Sequence, residues 1–160
     1  MAVDAFLKID NIPGESQDNQ FKNYVEVQSF SWGATQTAHV QGGGLAAGKA
    51  TLSDLSIMKL FDKSSPKLFG ALTTGTHIAN ILLSLRKGGG GASGGYTYLT
   101  YKLENAIVTG AHVSGGTEIP TESYSFAYQK ITVEYSMQGA NGAVTSTGPN
   151  SWDVATNTGT

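Results

Sequence analysis

Val3, Ala5, Leu7 and Ile9 alternate with Asp4, Phe6 and Lys8 at the start of the chain. A period of two is the mark of a half-buried strand, because successive side chains point to opposite faces. Asn11-Ile12-Pro13-Gly14 then reads as a turn, and residues 15–23 as a polar loop. The spacing predicts one long strand from Tyr24 to Thr37. It puts Tyr24, Glu26, Gln28, Phe30 and Trp32 on one face and Val25, Val27, Ser29 and Ser31 on the other. His39 to Lys49 reads as a glycine-rich loop, and Ala50 to Lys59 as a strand. Between Leu52 and Leu55 the apolar spacing slips, which predicts a bulge or a change of face.

The second half has the same texture. Ile78–Lys87 and Tyr96–Thr109 predict a hairpin whose connection is the flexible run GGGGASGG, residues 88–95. Leu99, Tyr101, Leu103 and Ile107 are in phase, and Ala111 to Pro120 reads as loop. Thr121 to Gln138 is the longest strand run. Tyr124, Phe126 and Tyr128 share one face, but Ile131, Val133 and Tyr135 fall on the other. The switch near Gln129-Lys130 predicts a bulge or a strand shared between two sheets. From Gly139 the tail is small and polar except for Trp152 and Val154.

One stretch breaks the period of two. In DLSIMKLFDKSSPKLFGALTTG, residues 54–75, a strand-like run from Leu55 to Phe61 meets helix-start chemistry. A hydroxyl at Ser64 or Ser65 suits an N-cap, where it accepts from an otherwise unpaired first-turn N–H. Pro66 suits the first helical position, where its missing N–H costs nothing. Gly75 suits the left-handed residue that closes a helix. Leu68, Phe69 and Leu72 are spaced as an apolar stripe. A helix of about 65–75 is too short to stand alone and needs a flat apolar partner. Six or seven strands, some apolar on both faces, with one helix, predict a mainly β fold. It is a β-barrel or two-sheet sandwich with the helix packed against it, formed as one domain over residues 1–160.

Composition narrows the function. Ten Lys+Arg stand against twelve Asp+Glu, and Arg86 is the sole arginine. Nucleic-acid binding needs clustered cations to neutralise phosphates, so it is not expected. No apolar run approaches the ~20 residues of a membrane-spanning helix. MAVDAFLKID has no basic segment followed by an apolar one, so no secretory signal is expected. With no cysteine, disulfides, zinc thiolates and thiol nucleophiles are excluded.

Several apparent motifs point to chemistry and fail on inspection. Gly43-Gly44-Leu45-Ala46-Ala47-Gly48-Lys49 has the glycine and lysine spacing of a phosphate-binding loop. The next residue is Ala50, where a magnesium-binding hydroxyl belongs, and a strand follows where a helix N-terminus is required. His39, His77 and His112 are far apart, and surface or structural roles outweigh a metal site. The pairs Glu118/Glu122 and Asp54/Asp62 suggest a glycosidase only weakly, since loop carboxylates are usually solvated. Lys59, Lys63 and Lys67 read as a small basic patch beside the helix, most simply a solvated face. No catalytic residue, metal or cofactor is assigned.

The stretches AVDAFLKIDNIPGES, FSWGATQ (30–36), GKATLSDLSIMKLFDKSSPKLF (48–69), LSLRKGG (83–89), ITVEYSMQ (131–138) and SWDV (151–154), in this order, resemble the haemolysin-coregulated protein (Hcp) family. These are tube subunits of the bacterial type VI secretion system. The resemblance implies a β-barrel with one helix, assembled as a six-membered ring, with rings stacked into a hollow tube inside a contractile sheath. It implies assembly in the cytoplasm and export with a spike, without a signal peptide. The tube can carry small effectors in its lumen. Self-association, sheath and spike proteins and small effectors are thus the implied partners, with no membrane insertion.

Three sets of residues are assigned within that frame. Phe6 and Tyr128 are expected at the subunit interface. The 37–48 loop, with Gly42, Gly43, Gly44 and Leu45, and Lys49 beside it, is expected to contact the next ring. Ser29 and Ser31 are expected to face the channel if Phe30 and Trp32 face the core; an ordinary outer-face position is the equal alternative. The competing function is a carbohydrate-binding β-sandwich module, with Trp32, Trp152 and the tyrosines as a stacking platform. Because Trp32 and Phe30 share a face, core packing is the stronger reading of those aromatics.

Overall fold

A computed structural model describes residues 3–88 and 95–160. The predicted flexible run at 88–95 lies, but for its two end glycines, outside the described residues. The main sheet contains β1 (Val3–Ile9), β2 (Val25–Val27), β3 (Ser29–Ser31), β6 (Leu55–Leu60), β7 (Ile78–Lys87), β8 (Tyr96–Ser114) and β9 (Thr121–Gln138). It also takes in the short β10 (Val144–Ser146), β11 (Asn150–Asp153) and β12 (Thr158–Gly159). A separate two-stranded sheet is made of β4 (Ala34–Gln41) and β5 (Gly44–Leu52), and α1 spans Ser65–Thr74.

The longest ladder path runs β12-β11-β9-β8-β7-β1-β2, antiparallel throughout. The 25–31 segment bends this path into a barrel-like wall. Its first half pairs with β1 as β2, and its second half pairs with β6 as β3. The handover is at Gln28, whose N–H donates to the Met58 carbonyl at 2.8 Å. The core is apolar: Leu7, Val25, Leu55, Ile57, Leu68, Ile81, Leu83, Leu103, Phe126 and Ile131 are all buried within it.

The single strand predicted over Tyr24–Thr37 is three strands. Val25 and Val27 are buried, yet beyond Gln28 it is Phe30 and Trp32 that pack on the core while Ser29 and Ser31 are exposed. The alternation therefore slips by one at Gln28, and the valines and serines do not share one environment. A strand that changes partners must twist, and the change of partner is not written in its side-chain pattern. The slip between Leu52 and Leu55 is the boundary where β5 leaves and β6 begins.

The phase switch in Thr121–Gln138 is present and has a visible cause. β9 pairs β6 through Phe126, then β11 from Lys130 and β10 from Ser136. At the same level β8 has Asn105 with φ 52°, and its amide donates to the Gln129 side chain at 2.9 Å. Core residues are Ala106 and Val108 on one side of Asn105 and Leu103 on the other. The two strands turn a corner together, without an extra residue; the register shift in this ladder lies instead at Val108/Gly110. β8 also continues to Ser114, so the predicted 111–120 loop is strand in its first half.

The helix obeys its predicted limits. Pro66 lies in the first turn, and Gly75 closes the helix at φ 64°, with N–H groups directed at the Ala71 and Leu72 carbonyls. Two details differ. Ser64 is the N-cap residue, but its hydroxyl does not cap the helix and bonds to Asp62 Oδ1 instead. Leu68 and Ala71 are buried and Leu72 half-buried, while Phe69 is 61% exposed. Positions i, i+3 and i+4 share a face; Phe69 is one step, about 100°, off that stripe.

Candidate assembly surfaces

The β4–β5 hairpin is the part of the fold least occupied by its own chain. Every residue from Gly33 to Lys49 is exposed. The predicted glycine-rich loop at 39–49 is therefore a correction: it is strand on both sides of a two-residue turn. Gly42 and Gly43 have φ 62° and 83°, and Gln41 faces Gly44 across the turn. Paired left-handed residues give a turn whose twist matches that of the strands, and glycine takes them without strain. Near the base the ladder shifts between Gln36 and Ala38, and a Cβ at Gly48 would lie 2.7 Å from the Thr37 carbonyl oxygen. At the tip Val40 and Leu45 face one another, 78% and 77% exposed. Apart from Val40 and Leu45 the hairpin residues are mostly small or polar on both faces, so no alternation marks it; the Gly-Gly turn between two ladderable runs is its signal in the sequence.

A polar brace holds its base. Gly33 and Ser53 bond reciprocally, Gly33 N–H to Ser53 Oγ at 2.9 Å and Ser53 N–H to the Gly33 carbonyl at 2.8 Å. Trp32 Nε1 donates to the Tyr128 hydroxyl at 2.6 Å, which donates to the Ser53 carbonyl at 2.7 Å. Burial raises the Tyr128 pKa above the usual phenol value. Trp32 and Tyr128 thus tie the hairpin root to the barrel. Trp152 is likewise half-buried against the core, in keeping with core packing as the stronger reading of both tryptophans.

Ser29 and Ser31 lie on a hydroxyl-rich face four strands wide. The register pairs Ser31 with Ser56, Ser56 with Ser125 and Ser125 with Gly110; in the next row Ser29 pairs with Met58, Met58 with Ser123 and Ser123 with His112. The intervening residues Leu55, Ile57, Lys59, Glu122, Tyr124 and Phe126 point inward and are buried. The outer face is therefore hydroxyl-rich around Met58, with no carboxylate, lysine or arginine in these rows and His112 at the end of one.

Phe6 is 6% exposed. Its ring stacks on Phe21 at 4.5 Å, and Arg86 lies 5.3 Å above it. Arg86 holds Asp18 through both carboxylate oxygens, at 2.8 and 2.7 Å, and Asp4 at 2.8 Å. These bonds lower the Asp18 pKa to about 2 and raise that of Arg86. This cluster borders a cavity of about 640 Å³ that Phe6 also lines. Any contact of Phe6 with a neighbour is therefore by way of this cavity.

The basic patch expected of Lys59, Lys63 and Lys67 does not form, because Lys59 is fully buried. Its Nζ donates to Glu122 Oε2 at 2.7 Å, Ser65 Oγ at 2.9 Å and the Leu60 carbonyl at 3.0 Å, and lies 3.0 Å from Asp62. Glu122 also accepts from Ser65 Oγ at 2.5 Å and Tyr124 Oη at 2.8 Å. Burial, then the Glu122 bond, pushes the Tyr124 phenol pKa well up. The signal was in the phase: Lys59 follows Leu55 and Ile57, and Glu122 precedes Tyr124 and Phe126, each on the inward parity. The network pins the start of α1 to β6 and β9. Elsewhere Asp54 accepts from Thr109 Oγ1 and His77 bonds Asn105. Among the described residues no group of three metal-ligating side chains converges.

A family model described as "Type VI secretion system effector, Hcp" matches residues 6–135. The chain is 37% identical over 146 residues to "Protein hcp1" of Pseudomonas aeruginosa, covering 89% of each. It superposes on a solved type six secretion system protein with a TM-score of 0.89 at 32% identity, over 99% of this chain and 100% of that one. Hcp1 from Salmonella typhimurium gives a TM-score of 0.75 at 28% identity, over 100% of both chains.

Proposed function

The chain belongs to the Hcp family of the type VI secretion system, and on that premise we propose that it is a tube subunit, folded as one unit over residues 1–160. Six copies close head to tail into a ring, and rings stack into a hollow tube. Such a ring closes only when the rotation between neighbours divides a full turn, which makes the interface heterologous. The tube is built in the cytoplasm within a sheath and leaves the cell with the spike on contraction. It performs no chemistry of its own.

The single observation that carries this reading is the β4–β5 hairpin. It is exposed along its length and ends in two bare apolar side chains. Contiguous exposed apolar surface marks an interaction site. Gly42, Gly43, Gly44, Leu45 and Lys49 would then contact the next ring. Tyr128 supports the interface by bracing the hairpin root, and Phe6 by forming a wall of the Arg86 cavity. Ser29 and Ser31 would face the channel, where a hydroxyl-rich surface without lysine, arginine or carboxylate lets small effectors be held weakly and released. Negative-stain microscopy of the purified protein should show six-fold rings and tubes. Deletion of residues 42–47 should leave rings, abolish tubes and stop secretion. Monomers at all concentrations, or unchanged secretion after the deletion, would overturn the reading.

A further inference from the structure

We propose that the cavity beside Arg86 is the seat for the β4–β5 tip of a second copy of this chain. The inference rests on the self-assembly reading above and names the acceptor surface that it lacks.

Charge supports the match. The cavity is lined by five carboxylates, Asp4, Glu15, Asp18, Glu26 and Asp62, against one guanidinium, Arg86. Asp4 and Asp18 are already bonded to Arg86, and Asp62 to the buried Lys59. Glu26, and Glu15, which accepts the Lys63 backbone N–H at 3.1 Å, lie at the exposed side as negative charge outside the ion pairs of the described residues. The hairpin, residues 34–52, contains no Asp or Glu; its basic residues are Lys49 and His39. It is the natural complement of an acidic seat, and like charges that would disfavour docking are absent.

Shape and polarity agree. Leu60, Phe61 and Ile119 line the cavity while 41%, 45% and 64% exposed, a cluster of apolar surface of the kind that marks an interaction site. Val40 and Leu45 at the tip are the apolar partners of matching size. A volume of about 640 Å³ is within the range of cavities that enclose a compact ligand, roughly 300–1,000 Å³, and a two-residue turn with one side chain on each flank is such an object. Lys49 lies four residues from Leu45, about 13 Å along the strand at the usual rise. With the tip seated, Lys49 is at the rim, where Glu15 and Glu26 lie. The cavity also shares its wall with Phe6, so one surface accounts for both the bare tip and the buried aromatic.

The chain has no cysteine, so engineered pairs report without background. Leu45→Cys combined with Ile119→Cys, assembled and then oxidised, should give a ladder of covalent multimers on a non-reducing gel. Val40→Cys with Phe61→Cys provides a second pair should the first disturb folding. Leu45→Cys with Val154→Cys should give none. Adding Glu26→Lys should cut the ladder about tenfold by placing a cation against Lys49. Microscopy of the reduced variants is read in parallel. Tubes without a ladder from either pair would overturn the seat and leave the assembly reading standing. Failure of the unmodified chain to form rings or tubes would overturn both.

Discussion

Replacing Lys59 by Met tests the buried polar network, because it removes the charge and keeps most of the aliphatic stem. Lys59 is fully buried, and its ammonium is the cation facing Glu122, which is itself 1% exposed. Removing one partner of a buried ion pair leaves an uncompensated charge and costs about 3–5 kcal/mol. Ser65 and Tyr124 still donate to Glu122, so the lower end, about 3 kcal/mol, is expected. For a chain of this length that loss lowers Tm by roughly 6–12 °C. The assay is urea unfolding at fixed protein concentration, since self-association makes apparent stability concentration-dependent. The midpoint should fall with an unchanged m-value. Adding Glu122→Gln should recover at least half of the loss, because the amide oxygen still accepts from the two hydroxyls and no charge is buried. A loss below about 1 kcal/mol for Lys59→Met would refute the assignment of this network as the pin between α1 and the barrel.

Two further outcomes follow from the surfaces. Asp18 is held by Arg86 with its pKa lowered to about 2; a depressed carboxyl contributes stability that is complete above the unfolded value near 3.9 and is lost as pH falls from about 4 to 2. Asp18→Asn should therefore flatten the acid limb of a midpoint-versus-pH curve, and a limb as steep as the original would exclude this pair as its source. Ser31→Gln places a longer amide on the hydroxyl face and should change the amount of effector recovered with the rings while ring formation stays normal; unaltered effector recovery would remove Ser31 from the channel.

Local chemistry alone determined the helix limits. Pro66 fixes its own backbone angle and Gly75 is free to take the left-handed one wherever they occur, so their meaning does not depend on what packs nearby. The period of two likewise determined β1, β7 and most of β8 and β9, since each keeps one face on the core for many residues. Segment order carried the family resemblance that the comparisons bear out. What depended on tertiary structure was every point where a strand changes its company. The 25–31 segment passes from β1 to β6 at Gln28, and side-chain alternation cannot announce a change of partner. Beyond its root, where Leu52 packs on the core, the hairpin at 34–52 has no core face, so hydrophobic patterning, which reports burial, is silent about it. Lys59 looked like a surface cation because isolated charges usually are; only the meeting of β6, β9 and α1 brings Glu122, Ser65 and Asp62 to its ammonium and makes burial tolerable. Sequence periodicity records which residues leave water, whereas the three-dimensional fold decides which groups they meet when they do.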